Sequence, residues 1–92
     1  MTAEEHIIAW IESSQPHYRK LLHISVPGNF LSDLGRAHAC MNLAAEAYRE
    51  MIKGGDAWAS DHDASTIIGA LFRLQSRGGA WRYYINLDRL EN

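Results

Sequence analysis

Cys40 is the only cysteine among the 92 residues, so no intramolecular disulfide can form. No apolar run approaches the roughly 20 residues that span a bilayer. The opening MTAEEHIIAWIE is acidic and its apolar residues are interrupted, unlike a secretory leader. Together these absences imply a reducing cytoplasm and no membrane. Charge of one sign is lacking too: the formal net charge is -2, which makes the chain neither a magnet for nucleic acid nor an acidic mimic of one. There is no internal repeat, low-complexity tract or linker, and 92 residues make one domain rather than two.

What is present is ordinary globular composition, 47% hydrophobic and 22% charged, which argues against disorder. A chain this short buries only about 60–65% of the surface its unfolded form exposes. Self-association would therefore add stability, and a homo-oligomer is expected.

The longest periodic stretch is Ser32 to Lys53. Leu34, Ala37, Met41, Ala44, Tyr48 and Met51 follow at intervals of 3, 4, 3, 4 and 3 residues, which keeps them on one face of a helix. Ser32 is a suitable N-cap, Asp33 and Lys53 suit the dipole, and Gly54-Gly55 supplies the stop. Leu43 projects from the polar side of this pattern. With Ala39 it could edge a second contact surface.

Thr2 and Glu5 form a capping box that starts a first helix, with Ala3, Ile7, Trp10 and Ile11 inward and Glu12 outward. Pro16 suits the first position of a second, shorter helix whose buried side is Tyr18, Leu21 and Leu22. His23 to Val26 is strand-like, Pro27-Gly28 turns the chain, and Phe30 or Leu31 can staple onto the long helix. DAWASDHD reads as a connection from which Trp58 plugs the core. Asp63 then caps a helix from Ala64 to Arg77 with Ile67, Ala70, Leu71 and Leu74 inward, ended by Gly78-Gly79. In the tail, Trp81, Tyr83, Ile85 and Leu87 alternate with polar residues, which reads as a half-buried strand. A short final helix is the competing reading. The expected fold is mainly α: one small domain of three or four helices around the long one, with a short C-terminal β-strand.

Candidate chemistry is thin. Asp61-His62-Asp63 is the tightest group of metal-ligand types, but it offers too few ligands, and no i, i+4 histidine pair or HExxH occurs. Cys40 and His38 diverge by roughly 200° on one helix, so they do not form a nucleophile and base. Both glycine pairs follow helices and do not cradle phosphates. No catalytic residue, metal or cofactor is expected.

Surface chemistry concentrates late in the chain. Arg73 and Arg77 share the outer side of the last helix with Thr66 and Gly69, and Trp81, Arg82 and Tyr84 follow closely. Tryptophan, tyrosine and arginine are the residue types that dominate protein–protein hot spots. The expected function is thus a non-enzymatic adaptor, regulator or stoichiometric inhibitor that binds a protein partner through Arg73, Arg77, Trp81, Arg82 and Tyr84. A helix bearing Thr66, Arg73 and Arg77, followed by a strand with Arg82, also resembles the layout of winged-helix domains, which implies DNA binding. The long helix, double glycine and acidic loop that precede it depart from that layout. A third alternative is a small oligomeric nucleotide-binding module, with Arg77 to Tyr84 stacking on a base and pairing with a phosphate.

Overall fold

A computed structural model describes residues 2–25 and 32–90. Five α-helices follow in order: α1 (Ala3–Glu12), α2 (Gln15–Ser25), α3 (Asp33–Lys53), α4 (Ala57–Ser60) and α5 (Ala64–Gln75). Two 3-10 segments, Gly78–Tyr84 and Leu87–Arg89, close the chain.

Local signals set most of the helix ends. Thr2 and Glu5 make the reciprocal capping box of α1. The Ser32 hydroxyl accepts from the Gly35 amide at 3.0 Å and opens α3. At its other end the Asp56 amide donates to the Met51 carbonyl and the Gly55 amide to that of Ile52, with Gly55 at φ +78°. That is a Schellman closure, and it requires a residue at ease in left-handed backbone. Asp56 caps α4 and Asp63 caps α5.

The Asp63 carboxylate accepts from the Ser65 hydroxyl, the Thr66 amide and the Thr66 hydroxyl. These bonds, Ser65 first, hold its pKa below the ordinary 3.8. Because the folded value is the lower one, the cap contributes fully above about pH 4 and is lost as pH falls through the folded value. An acid titration followed by circular dichroism should show the parent losing helix more steeply below about pH 4 than Asp63→Asn. Superimposable acid limbs would remove Asp63 from this account.

The core lies where α1, α2, α3 and α5 meet. Ile7, Trp10 and Ile11 enter it from α1, Leu21 and Ile24 from α2, and Cys40, Leu43, Ala44, Ala47 and Met51 from α3. Ile67, Ala70, Leu71 and Leu74 enter from α5, as their spacing predicts. The radius of gyration, 12.4 Å, matches the roughly 12 Å of a close-packed chain this long.

Four expectations need correction. First, the buried side of α3 is rotated: Leu43 is inside, while Leu34 and Met41 are 70% and 48% exposed. At 21 residues α3 is nearly twice as long as α2 or α5. The line of α3 that packs into the core is Cys40, Leu43, Ala44, Ala47 and Met51, and its main neighbours are α5 and α2. Second, α2 continues to Ser25, and Glu12 is buried instead of facing away. Third, the stretch read as a connection winds into α4, which makes five α-helices among the described residues instead of three or four; its Trp58 is only half-buried, and Ala59 is the α4 residue in the core.

The fourth concerns the tail. No strand occurs among the described residues, and residues 78–84 and 87–89 are 3-10 helix. The described elements beside it, α5 and α2, are helices whose interior backbone groups pair within the helix, so a strand there has no ladder to join among the described residues. The tail instead closes local i→i+3 bonds, Ile85 to Arg82 and Arg89 to Asn86 among them. Only Trp81 and Ile85 of the alternating set turn inward; Tyr83 and Leu87 face solvent. The staple by Phe30 or Leu31 and the Pro27-Gly28 turn lie outside the described residues.

Candidate functional site

The last helix and the tail bring Arg73, Arg77 and Tyr84 together. Arg73 Nε and Arg77 donate to the two carboxylate oxygens of Glu4 on α1, at 3.2 and 3.0 Å. Arg77 also lies over the Tyr84 ring, 5.0 Å from its centroid. Both arginines are solvent-accessible, so these pairs are surface ion pairs worth about 0–1 kcal/mol each. Trp81 does not belong to this surface. It is completely buried, edge-to-face with Tyr18 of α2 at 5.4 Å between centroids. Arg82 lines a smaller recess with Tyr18, Tyr83 and Leu87.

A larger concavity lies between α2 and α3. It has a volume of about 490 Å³, within the roughly 300–1,000 Å³ typical of binding clefts. Ile24, Ala39 and Leu43 line its apolar part, and Arg19, Lys20 and His23 its basic rim on α2. Asn42 and Glu46 form the rim on α3, and Glu46 is held by Lys20 at 2.9 and 3.0 Å. Ala39 and Leu43 both line this concavity, Leu43 as a buried core residue of α3. The basic rim went unnoticed because Arg19 and Lys20 read locally as the wet side of a short helix, and His23 as the start of a strand-like segment.

Histidines stack on tryptophans at two places. The His6 and His62 rings lie 4.0 and 4.2 Å from the Trp58 ring, nearly parallel to it. Two rings that close to one indole would overlap if side by side, so they cover opposite faces. His62 also binds the Trp58 carbonyl through Nδ1. Within Asp61-His62-Asp63, then, His62 is turned onto Trp58 and Asp63 onto the start of α5. The second stack is His17 on Trp10, 3.7 Å apart.

Burial pushes the Cys40 thiol up to about 11, which removes the thiolate that nucleophilic chemistry needs. No helix among the described residues is long and apolar enough to cross a membrane.

No family model, curated protein or solved structure matches the chain. Its function is therefore argued from its own surfaces.

Proposed function

We propose that this protein is a small non-enzymatic adaptor or regulator that works by binding a protein partner, and that the α2/α3 groove is its docking surface. The supporting observation is the groove's composition. An apolar floor is bordered on one side by Arg19, Lys20 and His23. Lys20 pairs with Glu46, the one carboxylate among the described lining residues, so Arg19 is the charge left over on the rim. Electrostatic complementarity then selects the occupant: an amphipathic helix with an apolar stripe and acidic flanks, laid along the groove.

The alternatives lose support at specific residues. A DNA-reading face would need Arg73 and Arg77 for phosphates, yet both are engaged by Glu4. A nucleotide module would need Trp81 as a stacking platform, and it is buried. Self-association belongs to the proposal as well, because Leu34, Met41 and Ile52 stand exposed along α3.

The test is a titration with two labelled amphipathic helical peptides, one acidic and one with its charges inverted. The acidic peptide should bind, weaken as salt rises, and weaken at least tenfold when Arg19 and Lys20 are both changed to Glu. Light scattering on the same samples reports whether one copy or two takes part. Equal binding of both peptides, or none at high micromolar concentration, would sink the groove as the docking surface.

A further inference from the structure

We infer that His17, Glu46 and Glu50 form a site for one divalent transition-metal ion, with zinc as the best chemical match. The reasoning starts from the imidazole ring. His17 is almost wholly buried, and its Nδ1 lies 3.0 Å from the Trp10 carbonyl oxygen. A carbonyl can only accept, so Nδ1 carries a proton. The ring is further fixed by its stack on Trp10. Nε2 is thereby aimed outward, 3.2 Å from Oε2 of Glu50.

With Nδ1 turned to that carbonyl, Nε2 is the ring nitrogen left to face a ligand. Two carboxylates stand before it, because Glu46 and Glu50 are four residues apart on α3 and face the same side. One oxygen of each and Nε2 all lie within 4.8 Å of one another.

Nitrogen and oxygen donors about 2.0–2.1 Å from a tetrahedral zinc sit about 3.3 Å apart. The His17–Glu50 separation, 3.2 Å, is already close to that value, and Glu46 stands within 4.8 Å of both and closes in by a side-chain rotation. One imidazole and two carboxylates suit zinc, and solvent reaches the half-exposed Glu50 to complete the shell. The backing of Nδ1 by a carbonyl is the support that metal-bound histidines usually have. Trp10 Nε1 holds Glu50 in the same way, donating to Oε2 at 2.7 Å.

Lys20 gives the idea a distinctive signature. Its ammonium now occupies Glu46, so it competes with the metal, and its removal should tighten binding. The site shares Lys20 and Glu46 with the rim of the groove, but metal binding is read with no peptide present, so either reading can fail alone.

The experiment is calorimetric titration of the full chain with Zn²⁺, repeated with Co²⁺ to read the visible absorption of the bound ion. The parent should bind one equivalent with micromolar affinity or better. Glu46→Gln and His17→Gln should each weaken that at least tenfold, and Lys20→Ala should strengthen it severalfold. Glu46 is on the surface, so its variant keeps the fold even if His17→Gln does not. No heat up to millimolar metal, or equal affinity in Glu46→Gln and the parent, would overturn the site. So would a Lys20→Ala variant that binds no more tightly than the parent.

Discussion

Trp81→Ala should unfold this protein or bring it close to unfolding. The indole is completely buried and packs against Tyr18, on a segment that rests on both α2 and α5. Truncating a buried tryptophan to alanine typically costs about 3–5 kcal/mol. A domain this size has a total stability of roughly 5–14 kcal/mol, so a large share is at stake. At about 4–8 °C per kcal/mol, the melting temperature should fall by at least roughly 12 °C. Trp81→Phe separates packing from polarity. The indole N–H finds no partner among the described residues, and such a buried orphan costs about 1–3 kcal/mol. Phenylalanine keeps much of the ring contact and drops the orphan, so it should melt much nearer the parent. If alanine melts within a few degrees of the parent, Trp81 is not a core residue and the tail is placed wrongly.

Cys40 should resist alkylation while the chain is folded. Its pKa is raised from 9.0 to about 11 by desolvation, which lowers the thiolate fraction near pH 8 about a hundredfold. Its complete burial adds a steric barrier. Modification should therefore track unfolding, with native labelling at least a hundredfold slower than in denaturant. Rapid reaction of the native thiol with iodoacetamide would contradict both its burial and its place on the inner face of α3.

How much of this the sequence discloses depends on whether a feature is local. The capping box at Thr2, the Asp63 cap and the inner face of α5 are all written within a few residues, and the structure reproduces them. The facing of α3 is different. Alanines at positions 37, 39, 44, 45 and 47 surround much of that helix, so its apolar pattern fits more than one rotation. Neighbouring α2 and α5 decide between them and draw Leu43 inward. The tail misleads for a related reason. Alternation of large residues reads as a strand, but a strand exists only if another edge is available, and the helices here leave none.

The candidate sites follow the same rule. Glu46 and Glu50 are a visible i, i+4 pair, yet nothing nearby shows that His17 of α2 will face them. The basic rim is written within α2 alone, but its meaning depends on the apolar floor that α3 provides. The arginine–aromatic set was legible as a cluster, whereas the burial of Trp81 and the two bonds to Glu4 come from long-range packing.

The clasp on α1 bears on the order in which the fold closes. Glu4 holds Arg73 and Arg77, and buried Glu12 accepts the Asn86 amide at 2.9 Å and pairs with Arg89 at 3.7 Å. Both ends of the first helix are thus tied to residues 69 to 74 positions further along. Contacts that far apart in sequence carry a large loop-closure entropy and form after local ones. Docking of α1 is therefore a late event, and cutting the chain before Arg73 would leave both ends of that helix without these partners.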